Sequence, residues 1–273
     1  MTCPLTIASM PKVRVGQIEL FYEEDGHGEP VVWIHGVGID HWVWGLQMPL
    51  FTQHFRCLAF DNRDGGQSDR SSGSYTIKTM ADDAIGLMDA LAIDKAHIVG
   101  LSMGGAIAQE LAIAHPARVT RLVLVSTYTS ADRRGADVLN SFALMRARFS
   151  REEYAHATSP WVFTYHDYLV PGLVESATTR FLEDPYFLPA DVYARQVEAA
   201  LSHFTEDRLS RITAPTLIVA GDDDLLTPMR FATTLHERIS GAKLAVIRGG
   251  GHALVLTHAG EFNRVVLSFL EES

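Results

Sequence analysis

The sequence predicts an α/β fold: a mostly parallel central sheet with helices on both faces. Two observations carry this. Short apolar runs rich in β-branched residues recur along the 273 residues, and stretches with helical periodicity lie between them. A third observation qualifies it. From about Thr127 to Arg211 the alternation stops, and no buried-strand run occurs.

The elements follow in order. Ile18 to Tyr22 alternates apolar and polar residues and reads as an edge hairpin strand. Val31-Val32-Trp33-Ile34 is continuously apolar, as a strand buried on both faces should be. The runs at 56–60, 97–99, 122–125, 216–220 and 244–247 read the same way. Met80, Ala84, Leu87, Met88 and Leu91 form one helical stripe, with Thr76 placed to cap it. A second helix runs from about Met103 to His115 and stops before Pro116, and a last one from about Ala259 to Leu270. The segment that breaks the rhythm is rich in aromatics, among them Phe142, Tyr154, Trp161, Phe163 and Phe181. A structureless loop of that length does not fit a compact domain. The expected organisation is therefore a core of residues 1–126 and 212–273 with an inserted helical cap at 127–211.

Bulk properties exclude several functions. The formal charge is −10, from 23 basic and 33 acidic residues, so the surface repels phosphate backbones and nucleic acid is not an expected partner. The two cysteines, Cys3 and Cys57, make no disulfide framework. No charged-then-apolar leader and no apolar run of membrane-spanning length occurs, so the expected location is cytoplasmic. No metal or cofactor is expected, since neither clustered Cys/His ligands nor a phosphate-cradling Gly-Lys-Ser/Thr loop is present.

The most informative segment is Ile98-Val99-Gly100-Leu101-Ser102-Met103-Gly104-Gly105. Gly-x-Ser-x-Gly between a strand and a helix marks a nucleophile elbow, with the serine hydroxyl lifted above the sheet edge. A serine hydroxyl needs a base, and the base needs an orienting carboxylate. In elbow enzymes the acid and then the histidine follow the serine along the chain. His252 lies in the Gly249-Gly250-Gly251 loop after the last strand, where it can swing over Ser102. His258, where the final helix begins, is excluded as its rival. Asp222-Asp223-Asp224 follows the preceding strand. Asp224 is chosen as the deepest in that loop, just before Thr227-Pro228, with Asp223 as the fallback. Two donors must meet the oxyanion. They are assigned to the backbone N–H groups of Met103 and of Val37 in His35-Gly36-Val37-Gly38, with His35 organising that loop.

With His35–Gly38, Asp61–Ser68, Gly100–Gly105, Gly221–Asp224 and Gly251-His252 in place, the chain resembles the α/β-hydrolase superfamily over nearly its whole length. Within it, it is most similar to the 3-oxoadipate enol-lactonase and small carboxylesterase group, through the Gly-Leu-Ser-x-Gly-Gly elbow and the segment Arg208–Thr216. It departs at Asp64, where relatives commonly carry glycine. Meta-cleavage C–C hydrolases are also similar but typically carry asparagine at the position of Leu101. The resemblance implies hydrolysis of a small-molecule ester or lactone through an acyl-enzyme. C–C hydrolysis and a hydrolase-fold ligand receptor stand as alternatives. A membrane is not an expected partner, and a homo-oligomer is left open. Specificity is expected in the cap, with Trp161 and Phe163 as substrate-lining candidates. Arg133 or Arg134 could bind a substrate carboxylate, a solvated arginine pair being the other reading.

Overall fold

The computed structural model describes residues 11–272, so Cys3 lies outside the described residues. Eight strands form one sheet: β1 (Lys12–Val15), β2 (Ile18–Asp25), β3 (Pro30–Ile34), β4 (Arg56–Phe60), β5 (Ala96–Leu101), β6 (Val119–Val125), β7 (Thr216–Gly221) and β8 (Lys243–Ile247). Their spatial order is β1-β2-β4-β3-β5-β6-β7-β8. The pairs β1–β2 and β2–β4 are antiparallel and all others parallel.

Two strands differ from expectation. The Ile18 run is not the edge. It becomes β2 and is covered by β1, whose charged and apolar residues alternate too briefly to signal a strand. The Leu244 run forms β8, but as the opposite edge, so Val246 is exposed rather than buried. The interior strands β5 and β7 are buried along their whole length, which is why they read as continuous apolar runs.

Successive strand residues point to opposite faces and so build two core layers. Val32, Ile34, Leu58, Ile98, Leu122 and Ile218 pack against α2 (Ile77–Ala90), α3 (Met103–Ala114) and α9 (Met229–Arg238). Val31, Trp33, Val99, Val123 and Val219 pack on the other face. There they meet Phe51 of the short α1 (Met48–Phe51), Leu254 of α10 (Leu254–Thr257) and Phe262 of α11 (Ala259–Leu270). Thr76 caps α2 in a reciprocal box with Thr79: each hydroxyl accepts the other's backbone N–H, at 3.2 and 3.3 Å.

Between β6 and β7 the chain folds into α4 (Arg133–Arg148), α5 (Arg151–Val162), α6 (Tyr165–Leu169), α7 (Leu173–Glu183) and α8 (Ala190–Leu201). These helices share an apolar cluster of their own, centred on Phe142, Tyr154, Leu188, Val192, Tyr193 and Val197. Among the described residues no helix is long and apolar enough to cross a membrane.

Candidate active site

Ser102 stands where β5 turns into α3, at φ 55° and ψ −117°. Few non-glycine residues adopt that conformation. The turn is held by Ser102 N–H donating to Val125 O at 2.9 Å and by the Thr127 hydroxyl donating to Ser102 O at 2.7 Å. The flanking glycines are steric necessities. A Cβ at Gly100 would lie 2.3 Å from Gly104 O, and one at Gly104 would lie 2.1 Å from Ile34 O. Although Ser102 occupies the N-cap position of α3, its side chain makes no capping hydrogen bond, so the hydroxyl stays free for other work.

Asp224 and His252 come together from the loops after β7 and β8. His252 Nδ1 lies 2.9 Å from Asp224 Oδ2. The Thr227 hydroxyl donates to the same oxygen at 2.7 Å, while Leu226 N–H and Thr227 N–H both donate to Oδ1 at 2.8 Å. Burial alone would raise this carboxyl, but the adjacent imidazole and these donors outweigh it and hold Asp224 at about 2. The neighbouring aspartates serve elsewhere. Asp223 is exposed, and Asp222 accepts Gly249 N–H at 2.6 Å, which ties the two loops together. His258 is half-buried at the start of α11, 2.8 Å from the Thr257 hydroxyl, and takes no part in the cavity.

The loop after β3 supplies Val37. His35 is fully buried, and burial keeps its imidazole neutral. Its Nδ1–H donates to Gly36 O at 2.8 Å and its Nε2 accepts Asn62 N–H at 3.0 Å, an assignment set by the hydrogen-bond network. Because a trans peptide points its C=O and N–H in opposite directions, the bond on Gly36 O also orients the Val37 N–H. That N–H donates to no group among the described residues. Met103 is the first residue of α3, so its N–H has no acceptor within the helix.

Ser102, Val37 and His252 face one cavity of about 230 Å³. Its walls are overwhelmingly apolar, with Trp42, Phe142, Tyr154, Phe163, Phe181 and Leu226 prominent. No carboxylate lines it among the described residues, and Arg134 is its one permanent cation. Of the two lining candidates, Phe163 faces the cavity and Trp161 does not. On α5 the lining positions are 154, 155, 158, 159 and 162, and the 3.6-residue period leaves 161 on the flank of that stripe. Trp161 packs edge-on to Phe142 at 6.3 Å between centroids, with the Arg134 guanidinium 5.4 Å from its ring. Arg133 is exposed and pairs with Asp137 at 2.9 Å, whereas Arg134 donates to Leu225 O at 2.7 Å at the cavity wall. Sequence reading missed Trp42 and Tyr193 as wall residues. Nothing in their local pattern distinguishes a wall from a core.

One cluster has a donor set compatible with a metal ion: Asp40, His41 and Asp61, with ligand atoms within 4.8 Å of one another. Its donors are already engaged. Asp61 accepts His41 Nδ1–H at 2.7 Å and Gln67 N–H at 2.7 Å, and Asp40 accepts Trp42 N–H at 3.0 Å. Burial works against charging His41, yet Asp61 and Glu23 outweigh it and lift the imidazole to about 10. The cluster ties the His41 turn to the loop after β4.

A strained serine at a strand–helix elbow that shares an apolar cavity with a hydrogen-bonded Asp–His pair is the architecture of a hydrolase. The chain belongs to the family described as alpha/beta hydrolase fold, whose model matches residues 29–259. It is 31% identical to a protein of Caulobacter vibrioides that carries the carbamate hydrolase name RutD, over 96% of this chain and 99% of that one. Among solved structures it is similar to the enol-lactonase of Burkholderia xenovorans, with a TM-score of 0.88 and 28% identity over 96% of this chain and 100% of that one. It is also similar to a meta-cleavage product hydrolase of Pseudomonas fluorescens, with a TM-score of 0.81 and 27% identity over 95% and 97%.

Proposed function

We propose that this hydrolase is a serine esterase or lactonase that cleaves a small, largely apolar carboxylic ester through an acyl-enzyme. The observation that carries the reading is the 2.9 Å bond between His252 and the depressed carboxylate of Asp224, on the cavity into which the uncommitted Ser102 opens. In this reading His252 takes the Ser102 proton as Oγ attacks the carbonyl carbon. The Val37 and Met103 N–H groups hold the resulting oxyanion. Collapse of the intermediate passes the proton from His252 to the departing alkoxide. A water, deprotonated in turn by His252, releases the acid and restores Ser102. Asp224 keeps the imidazole in one tautomer and stabilises its cation. The predominance of apolar wall groups favours a largely apolar acyl portion, and the helices between β6 and β7, acting as a cap, supply its specificity.

The reading is tested with Ser102→Ala and a short-chain aryl ester. Turnover should fall by ~10⁴ or more while circular dichroism stays unchanged. Wild-type turnover in the folded variant overturns it. A meta-cleavage dienolate whose colour persists with the wild-type protein separates this activity from C–C hydrolysis. Sustained multiple turnover separates it from a receptor.

A further inference from the structure

Helix α8 reaches out of the insertion and touches the loop that carries Val37. Gln196 is completely buried, and its Oε1 accepts the Gly38 N–H at 2.9 Å, across 158 positions of sequence. One turn earlier on the same helix, Tyr193 presses on the same residue. A Cβ at position 38 would lie 2.6 Å from Tyr193 Cε2, and Gly38 itself sits at φ +73°. The other end of the Gln196 amide, Nε2, is buried with no hydrogen-bond partner. Burying an amide with an unsatisfied donor is unfavourable, and an apolar side chain of similar size would avoid it. The one interaction glutamine provides here that such a side chain could not is the acceptor for Gly38.

The two peptide planes of the loop are therefore each pinned by one buried side chain. His35 holds the Gly36–Val37 peptide through Gly36 O, and Gln196 holds the Val37–Gly38 peptide through Gly38 N–H. Between the two bonds Val37 has little freedom in either φ or ψ, and its own N–H remains unused.

We propose that Gln196 is a positioning residue for the reaction: by fixing the Val37–Gly38 peptide it keeps the Val37 N–H aimed at the oxyanion. The inference rests on the serine-hydrolase reading above and on Val37 as an oxyanion donor. It gives the insertion a part in the chemistry as well as in covering the cavity. Gln196 never touches substrate, so its loss weakens binding of the tetrahedral species and spares ground-state binding.

The test uses the full chain. Gln196→Met keeps the volume and removes the acceptor. Gln196→Asn, too short to reach Gly38, repeats the test in a polar side chain should the methionine variant not fold. Val197→Ala loosens α8 packing while keeping both Gln196 and Gly38. We expect kcat on a short-chain aryl ester to fall about ten- to a hundredfold in both Gln196 variants, with KM within about twofold. Affinity for phenylboronic acid, which forms a tetrahedral adduct on a nucleophilic serine, should fall in step. Val197→Ala should lower Tm and leave kcat within about twofold. Unchanged kcat in a folded Gln196 variant overturns the proposal, as does an equal kcat loss in Val197→Ala or a rise in KM alone. Fluorophosphonate labelling separates the two levels. Absence of labelling at Ser102 in the wild type overturns the parent reading and this one with it. Intact labelling with unchanged Gln196 kinetics overturns this one alone.

Discussion

The Asp224 carboxylate uses both oxygens on neighbours that differ in kind: Oδ1 takes two backbone N–H groups, and Oδ2 takes the Thr227 hydroxyl and His252 Nδ1. Asp224→Asn is close to isosteric, but its amide offers a donor where His252 needs an acceptor, and this favours the wrong imidazole tautomer. The expected loss is ~10³–10⁴ in kcat with the fold intact, measured on an aryl ester near neutral pH. A loss below tenfold would mean that His252 does not depend on Asp224.

The same carboxylate should leave a mark on acid stability. Its folded value, about 2, lies below the ordinary aspartate value of 3.8. A depressed carboxyl contributes stability that is present above its unfolded pKa and is lost as pH falls through its folded pKa. The wild type should therefore lose on the order of 2 kcal/mol between about pH 4 and pH 2 that Asp224→Asn does not lose. Denaturant titrations at stepped pH check this. Parallel stability curves for the two proteins across that window would contradict the assignment.

Phe163 and Trp161 are near neighbours with different surroundings. Phe163 faces the cavity, and Trp161 packs edge-on to Phe142. Phe163→Ala should shift preference toward longer or bulkier acyl groups. Trp161→Ala should leave the acyl-chain profile unchanged and cost about 1–3 kcal/mol of stability, less than a full core deletion because the ring is half-buried. A panel of p-nitrophenyl esters and a denaturation curve for each variant decide between these roles. Reversed outcomes would return Trp161 to the pocket.

Asp64 sits at φ 63°, in the left-handed region that suits glycine, yet carries a fully buried carboxylate. That carboxylate accepts Arg195 Nε–H from α8 at 3.0 Å and Ser71 N–H at 2.7 Å. The bond to α8 gives a reason for an aspartate at a position where glycine would be conformationally easier. Arg195→Ala strands a buried charge and should cost about 2–4 kcal/mol. Adding Asp64→Gly should recover most of that loss, because the second change removes the stranded charge and relieves the backbone. Additive losses in the double variant, measured by denaturant unfolding, would show that the two residues are not coupled.

These relationships mark where sequence reasoning runs out. Strands β3 to β7 are legible because burial on both faces forces continuous apolar runs, and the α2 cap because Thr76 directly precedes the apolar stripe, although its reciprocal bond with Thr79 shows only in the structure. The elbow is legible because the Gly-x-Ser-x-Gly spacing is itself local, and Gly100 answers to a clash with Gly104 four residues on, although Gly104 answers to Ile34 on the neighbouring strand. β1 is hidden because an edge strand of four residues needs little hydrophobicity. The cavity wall is hidden because the rotation of α5 about its axis follows from how it packs on α4 and α7, which no local pattern encodes. The Gln196–Gly38 bond is hidden for the plainest reason, a separation of 158 residues between a common side chain and a backbone amide.

Position 102 carries a conflict of interest between folding and chemistry. A serine at φ 55° and ψ −117° costs on the order of 1–3 kcal/mol relative to relaxed backbone. Glycine would adopt the same turn with no steric penalty. If Ser102 is the nucleophile proposed above, the chemistry is held at a cost in stability, and Ser102→Gly should melt at a higher temperature than the wild type. Any screen of random variants that rewards heat resistance alone will drift toward inactive chains at this site, and a search for robust catalysts from this scaffold has to select for turnover and survival together.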